Sequence, residues 1–158
     1  MCTLIICRRP GEKWPLLIAA NRDEKLNRPW LPPARHWPDR PDVYGGKDLL
    51  KGGTWLALND FGVVAAVLNR EGSLGPKEGL RTRGELPLEA LDHADADTAV
   101  KMLADIHKSS FRSFNLVIAD NESAYWLKSD PLVDDGRVEV FEVPRGFSMV
   151  TSADLNDS

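Results

Sequence analysis

The second residue of the chain is a cysteine, and this position allows a chemistry that an internal cysteine lacks. The sequence begins Met1-Cys2-Thr3, and a small residue after the initiator methionine permits removal of Met1. Cys2 would then carry a thiol and a free α-amine, with pKa values of about 8.5 and about 7.7–8.0, both near neutral pH. N-terminal threonine nucleophiles use their own amine as the base in the same way. The dipeptide leaves open the alternative that Cys2 is a small hydrophobic residue at the start of a strand.

Two further polar features follow predicted strands and could serve such a thiol. The sequence Asn21-Arg22-Asp23-Glu24 closes the second predicted strand. An arginine there would favour a thiolate, and a carboxylate could hold the α-amine or orient the arginine. Asn69 follows the strand Val63–Leu68, and its amide is a suitable oxyanion donor in a site that excludes water. The plainer alternatives are a solvated strand end for the first feature and a turn residue for the second.

The elements that must position these residues are mostly β-strands. Hydrophobic patterning and turn signals predict four strands, two helices and about four more strands. The predicted elements are strands Thr3–Arg8, Leu16–Ala20, Thr54–Leu58 and Val63–Leu68, helices Gly84–His93 and Thr98–His107, and strands Asn115–Ala119, Ala124–Lys128, Val138–Val143 and Phe147–Thr151. This order predicts an α+β fold with largely antiparallel sheets.

Local signals refine that outline. A hairpin around Pro10-Gly11 would bring the end of the second strand beside the start of the first, and so Asn21–Glu24 beside Cys2. The segment Arg28–Asp42 holds five prolines, which exclude a helix or a central strand there. Asp97 is the predicted N-cap of the second helix.

Composition excludes several classes of function. The formal net charge of -4 argues against a nucleic-acid partner. No apolar run approaches the ~20 residues that span a bilayer, and the N-terminus lacks a secretory signal. Cys2 and Cys7 lie on one predicted strand, roughly 17 Å apart at ~3.3 Å per residue, so they cannot form a disulfide with each other. Two free thiols favour a cytoplasmic location. Cysteine and histidine spacing predicts no metal site and no bound cofactor.

Several short motifs, taken together, resemble the NRDE family, which is named for Asn-Arg-Asp-Glu and includes the eukaryotic transport and Golgi organisation proteins. The motifs occur in the family's order and cover essentially the whole chain. They are Met1-Cys2, Ala19–Glu24, Gly52–Leu56, Ala65–Asn69, Arg83–Leu86 and Phe114–Leu116. The resemblance implies an association with haem handling and lipid metabolism, as in the eukaryotic members.

The NRDE family is in turn similar to the cysteine N-terminal-nucleophile hydrolases, such as penicillin V acylases. That resemblance implies an acyl-enzyme on Cys2, charge-setting roles for Arg22 and Asp23, and an oxyanion role for Asn69. An ungapped match would place Asn21 and Glu24 on the Arg and Asp positions instead. Ser152 stands where the acylases carry a second asparagine. Trp55, in the Gly52–Leu56 motif, is expected to support or bind the substrate. The alternative is that it packs in the core.

These inferences combine into one hypothesis. Residues 1–158 are expected to form a single domain with an αββα sandwich of antiparallel sheets, as the N-terminal part of a longer family fold, with exposed apolar surface and a tendency to oligomerise. The expected function is hydrolysis of a small-molecule amide through Cys2. The rival hypothesis is a non-catalytic carrier of haem or a lipid-like acyl ligand.

Overall fold

The computed structural model describes residues 1–75, 77–130 and 137–157, and the chain there forms ten strands and two α-helices. A short 3₁₀ turn at Lys108–Ser110 follows the second helix. The elements are β1 (Thr3–Arg8), β2 (Leu16–Asn21), β3 (Trp30–Ala34), β4 (Val43–Asp48), β5 (Leu56–Asn59), β6 (Val64–Asn69), α1 (Glu85–Ala90), α2 (Ala96–Ala104), β7 (Phe114–Ala119), β8 (Ala124–Ser129), β9 (Glu139–Glu142) and β10 (Gly146–Val150).

The strands form two sheets in which every pairing is antiparallel. One sheet has the order β10-β1-β2, and the other runs from β3 to β9 in chain order except for the helical insertion after β6. Sequential strands joined by short turns produce this meander, while β10 must cross over to pair with β1. The predicted α+β class with antiparallel sheets is confirmed.

The central layer is the seven-stranded sheet, and it buries both faces. On β7, Phe114 and Ile118 point towards α1 and α2, whereas Val117 points towards the three-stranded sheet. Leu4 and Ile6 of β1 complete that second core. Alternation of side chains along each strand divides the apolar residues between the two interfaces. The layers are therefore helices, large sheet and small sheet.

The outer face of the three-stranded sheet is apolar and exposed. Ile5 and Leu17 are each 45% exposed and Phe147 is 79% exposed. Cross-strand pairing places these three side chains on the face away from Leu4 and Ile6. Within the described residues no helix covers this face, so the second helical layer of the expected αββα sandwich is not among them. No helix in this part of the chain has the length and apolarity needed to cross a membrane.

Two strands were absent from the sequence prediction, and tertiary contacts explain why. β3 lies at the edge of the large sheet, where Pro32 and Pro33 remove no ladder bond that a neighbour needs. β4 contains Gly45 and Gly46, which suggest a turn. Glycine is required at these positions because a Cβ at Gly45 would lie 2.4 Å from the Cβ of Ala57. Close packing, rather than a turn, accounts for this glycine pair.

The predicted cap of the second helix was wrong by two residues. Asp95, not Asp97, is the N-cap of α2, with extended backbone angles (φ −147°, ψ 156°) and a carboxylate that accepts from the Thr98 N–H at 2.7 Å. Asp97 lies in the first turn and accepts a hydrogen bond from the Tyr125 hydroxyl at 2.7 Å. The earlier start follows because Ala96 is also buried in the helix-side core.

The contact between Gly53 and Gly84 gives a first testable prediction. A Cβ at Gly53 would lie 2.5 Å from the backbone carbonyl of Gly84, and the Thr54 N–H donates to that carbonyl at 3.0 Å. Gly53→Ala is therefore expected to lower the free energy of unfolding by about 1–3 kcal/mol, because backbone has to move. Urea denaturation should show this loss, while Lys51→Ala, an exposed change in the same turn, should stay within about 0.5 kcal/mol.

Candidate active site

The candidate site lies where one end of the small sheet meets the large sheet. The β1–β2 hairpin pairs Thr3 with Asn21, so the residues after β2 lie beside the start of β1. A pocket there contains about 250 Å³ of empty space, part of it open to solvent. It is lined by Cys2, Thr3, Leu4, Ala20, Asn21, Arg22, Trp55, Ala66, Val67 and Leu68.

Asp23 contacts both the Cys2 thiol and the amino group of Met1. Its backbone N–H donates to the Cys2 Sγ at 3.3 Å, and the thiol in turn donates to the Asp23 carbonyl at 3.5 Å. Its carboxylate forms an ion pair with the amino group of Met1. Asn21 Nδ2 donates to the Met1 carbonyl at 3.3 Å. The hairpin thus places two members of the Asn21–Glu24 segment directly on the first two residues.

Arg22 contacts the wall of the pocket. Its guanidinium carbon lies 4.3 Å from the centre of the Trp55 ring, and its Nη2 lies 3.3 Å from Asp48 Oδ2. Trp55 also meets Trp30 edge to face at a centroid distance of 5.9 Å. Trp55 is half-buried and provides a stacking surface for the arginine. This contact is how Trp55 could support the site, as predicted.

Glu24 joins the same charge network from the other side. Its carboxylate lies 3.5 Å from Arg28 Nη1, and Arg28 Nε donates to Asp48 Oδ2 at 2.5 Å. Arg22 and Arg28 thus share one carboxylate. Asp48 and Arg28 were not predicted as site residues, because Arg28 begins the proline-rich segment 28–42 and Asp48 belongs to none of the motifs.

The environment of Cys2 pushes the pKa of its thiol in both directions, and the net effect is upward. Partial burial raises this pKa most strongly, and Glu24 adds to the increase. The N-terminal amino group and Arg22 lower it. The expected influence of Arg22 is therefore present, but desolvation outweighs it while Met1 is attached. A resting thiol, rather than a thiolate, is the dominant form at neutral pH.

Asn69 does not bring its side chain to Cys2. It pairs with Phe114, whose side chain belongs to the helix-side core, so the Asn69 amide lies on the face of the sheet opposite the Cys2 pocket. Its backbone points differently. The Val67 N–H donates to the Trp55 carbonyl at 3.0 Å, and by alternation the Asn69 N–H is directed to that same side, beyond the start of β5 at Leu56.

Ser152 lies at the rim of the site, next to the first residue. Its hydroxyl is 3.1 Å from the Met1 Sδ, and its carbonyl accepts from the Glu71 N–H at 3.0 Å. The segment around Ser152 thus contacts both the N-terminus and the chain that leaves β6. The structure brings Cys2, Asn21, Arg22, Asp23, Trp55 and Ser152 together, with Glu24 one ion pair away.

A buried polar network next to this rim was not predicted. Asn115 on β7 is completely buried. Its Oδ1 accepts from Arg70 at 2.8 Å and Trp126 Nε1 at 3.1 Å, and its Nδ2 donates to the carbonyls of Thr151 at 3.0 Å and Ala153 at 2.8 Å. An asparagine inside an otherwise apolar strand was the available signal in the sequence.

Asp154 extends the network to two cations. Its carboxylate accepts from Arg70 at 2.7 Å and from Lys128 at 2.9 Å. Burial alone would raise the pKa of Asp154, but these hydrogen bonds and charges hold it below its usual value. Together with Asn115, these contacts fix the Ser152 segment beside Met1. Among the described residues no group of three or more His, Cys, Asp or Glu side chains could hold a metal ion.

Comparison with known proteins identifies the family of this chain. The sequence profile of the Transport and Golgi organisation 2 family matches residues 1–157. The chain belongs to this family. A bovine (Bos taurus) Transport and Golgi organization protein 2 homolog is 36% identical over 122 residues, in an alignment that covers 71% of this chain and 42% of the relative. The human (Homo sapiens) homolog is 34% identical over 128 residues, 73% of this chain and 43% of the relative. The chain thus spans about two fifths of the length of these relatives.

The fold of this family member is that of the N-terminal-nucleophile hydrolases. A solved structure of a Caenorhabditis elegans N-acylethanolamine-hydrolyzing acid amidase ortholog aligns with a TM-score of 0.60. The alignment covers 97% of this chain and 70% of that one, at 12% sequence identity. At this identity the likeness concerns the fold alone, and it confirms the fold expected from the resemblance.

The different exposure of the two cysteines gives a second prediction for this family member. Cys2 is half-buried beside the pocket, whereas Cys7 is 4% exposed, and both are free thiols. Limiting iodoacetamide should therefore label Cys2 before Cys7, and the rate should keep rising above the pH at which an unperturbed cysteine titrates, because the Cys2 pKa is raised. Peptide mass spectrometry over a pH series measures both effects. Faster labelling of Cys7 would contradict the assigned exposure.

Proposed function

We propose that this chain hydrolyses a C–N amide bond of a small molecule, with Cys2 as the nucleophile after Met1 has been removed. The observation that carries the proposal is that Asp23 contacts the Cys2 thiol while its carboxylate lies at the start of the chain, where it pairs with the amino group of Met1. A nucleophile, a base and a residue that orients both are the minimum set for covalent acyl transfer. The fold is one that can present an N-terminal nucleophile at the end of a sheet, although fold alone does not establish activity.

In the proposed reaction the thiol adds to the substrate carbonyl and the Cys2 α-amine takes its proton. The amine passes that proton to the leaving nitrogen as the C–N bond breaks, which leaves a thioester on Cys2. Water then adds to the thioester, the C–S bond breaks, and a carboxylic acid departs as the thiol recovers its proton. Removal of Met1 is required because the Cys2 nitrogen is otherwise an amide and cannot act as a base.

Supporting roles follow from the contacts. Arg22 favours the thiolate, and Glu24 acts through Arg28. The Asp23 carboxylate, which pairs with the Met1 amino group, would hold the Cys2 α-amine after Met1 is removed. The predicted oxyanion role of Asn69 is not retained in this proposal, because its side chain lies on the opposite face of the sheet. Asn21 Nδ2 donates to the Met1 carbonyl next to the thiol and is a suitable oxyanion donor once Met1 has been removed.

The second candidate function is a non-catalytic carrier of an acyl-type ligand or haem. The observation that favours it is the apolar lining of the pocket, with Leu4, Ala66, Val67 and Leu68 among the contributors. The empty space of about 250 Å³ includes a part that is open to solvent, so the enclosed part of the pocket is smaller than this. A short acyl group fits this space better than a haem, which would need the pocket to widen.

Intact mass spectrometry of the natively expressed protein separates the two functions at the first step. Loss of the Met1 mass would meet the requirement of the enzyme proposal. Hydrolysis of a panel of small N-acyl amides, followed by release of the carboxylic acid, would then test the activity itself. A fully retained Met1 together with saturable binding of a fatty acid or haemin would favour the carrier.

A further inference from the structure

We propose that Asp48 is a positioning residue, which holds Arg22 against Trp55 and thereby keeps its positive charge beside the Cys2 thiol. This inference rests on the proposed function only where it treats the Cys2 thiol as a nucleophile. The effect of Arg22 on the thiol can be measured by labelling, without turnover. Asp48 lies on β4, more than twenty positions from Arg22 in sequence, and none of the motifs includes it.

Asp48 is itself held in place by the turn that follows β4. It is 9% exposed, and its Oδ1 accepts from the backbone N–H groups of Leu50 at 2.9 Å and Lys51 at 3.3 Å. Its own backbone N–H and carbonyl join the turn that ends β4, through Gly53 and Gly52, each at 2.8 Å. With one oxygen occupied by the turn, Oδ2 remains to accept from side chains.

The Oδ2 atom of Asp48 contacts two arginines. Arg28 Nε lies 2.5 Å from it and Arg22 Nη2 lies 3.3 Å from it. All three side chains are largely buried, with exposed fractions of 12% for Asp48, 17% for Arg22 and 24% for Arg28. Two neighbouring guanidinium groups repel each other in such surroundings, so the shared carboxylate is what allows Arg22 to stay.

The other face of Arg22 is also fixed. Its guanidinium stacks on Trp55 at 4.3 Å. The Trp55 ring lies against Gly46, where a Cβ would come within 2.4 Å of two ring carbons. Asp48 and Gly46 are on the same strand, two residues apart and therefore on the same face. One strand thus supplies both the anion and the space that determine where the Arg22 charge lies.

The charged groups around the Cys2 thiol determine how its pKa would change if Arg22 moved away. They are the N-terminal amino group, Arg22, Glu24 and the backbone and carboxylate of Asp23. Glu24 acts against Arg22, so loss of Arg22 from this position would remove one of the two positive charges that lower the pKa of the thiol. The thiol would then become less acidic.

The test exploits a difference in sign. If Asp48 acted only as a charge, Asp48→Asn would remove an anion and make Cys2 more acidic. If Asp48 positions Arg22, the same substitution releases Arg22 and makes Cys2 less acidic. We expect the rate of iodoacetamide labelling of Cys2 at pH 7 to fall about three- to tenfold, which corresponds to roughly half to one pH unit in the labelling profile. An unchanged or faster rate in a folded variant would overturn the proposal.

Three further variants complete the experiment: Arg22→Gln, Arg22→Gln combined with Asp48→Asn, and Asp60→Asn. In an Arg22→Gln background, Asp48→Asn should have no additional effect on labelling, and an additional slowing would overturn the proposal. Asp60→Asn is the matched control, since Asp60 pairs with Arg35 at 2.7 Å in an exposed contact away from the pocket, and its labelling rate should equal that of the unmodified chain. Asparagine at position 48 retains Oδ1 for the turn, and thermal melting checks the fold.

A variant that leaves the turn intact covers the case in which Asp48→Asn does not fold. Trp55→Leu keeps Asp48 and its backbone contacts but removes the stacking surface, and labelling of Cys2 should slow in the same direction. A folded Trp55→Leu variant with unchanged labelling would overturn the proposed positioning. The labelling results are independent of hydrolysis, so a chain that shows the pattern but cleaves no amide would refute the proposed function and leave the role of Asp48 standing.

Discussion

Replacing Cys2 by alanine is expected to lower the kcat of amide hydrolysis by about a thousandfold or more, while the fold is retained. The reason is that the proposed route has no covalent intermediate without the thiol, and removal of a nucleophile from a coupled catalytic unit costs nearly the whole effect of that unit. Cys2 is half-buried at the pocket and contributes little to the core, so its truncation should leave the melting temperature almost unchanged. Initial rates against the most active amide of the panel measure the effect.

Two matched variants sharpen this result. Cys7→Ala changes the other thiol, which is buried on β1. Hydrolysis should persist in the fraction of molecules that remains folded. A chain with an uncleavable residue ahead of Cys2 keeps the thiol and loses the free α-amine, and its activity should fall about as far as that of Cys2→Ala. Hydrolysis that survives both changes would place the chemistry elsewhere in the molecule.

Asn115→Leu is expected to lower the free energy of unfolding by about 3 kcal/mol or more. Leucine is close in size, so the cost comes from hydrogen bonds rather than from a cavity. The substitution leaves Trp126 Nε1, one Arg70 donor and the carbonyls of Thr151 and Ala153 without their buried partner, and each such group costs about 1–3 kcal/mol unless water reaches it. Urea denaturation followed by tryptophan fluorescence measures the change.

The control for this experiment is an asparagine of different environment. Asn121 lies in the exposed turn between β7 and β8, and Asn121→Leu should stay within about 0.5 kcal/mol. The Asn115 variant should also loosen the Ser152 segment, because two of its four hydrogen bonds hold that segment. A loss below about 1 kcal/mol would show that the network is replaced readily, and that Asn115 is not what secures the rim of the site.

The sequence predicted the parts of the fold that depend on neighbours along the chain. Alternating or continuous apolar runs with turn residues between them located β1, β2, β5 and β6 within a few residues. The hairpin at Pro10-Gly11 was enough to place Asn21–Glu24 beside Cys2, because an antiparallel pair joined by a short turn has little freedom of register. Family motifs then predicted the N-terminal-nucleophile hydrolase fold, and the structure has this fold.

Other features depended on contacts between distant segments and were missed. β4 has a glycine pair that is required by Ala57 and Trp55, and nothing local distinguishes this pair from a turn. β3 is an edge strand, where the usual argument against proline does not hold. Asp48 was passed over, and Asn115 was noted only as part of the Phe114–Leu116 motif, since a single polar residue gains its role only from the side chains that converge on it.

By itself the sequence determined the strand-rich α+β class, the hairpin that joins Cys2 to the Asn21–Glu24 segment, and the family. The tertiary structure alone decided which face of the sheet a polar side chain occupies and in which direction its pKa shifts. It turned the side chain of Asn69 away from Cys2 through its pairing with Phe114, and it raised the pKa of Cys2 by burial despite the nearby Arg22. The physical reason is that proximity along the chain follows from local backbone geometry, whereas side-chain facing and desolvation depend on sheet register and packing between layers.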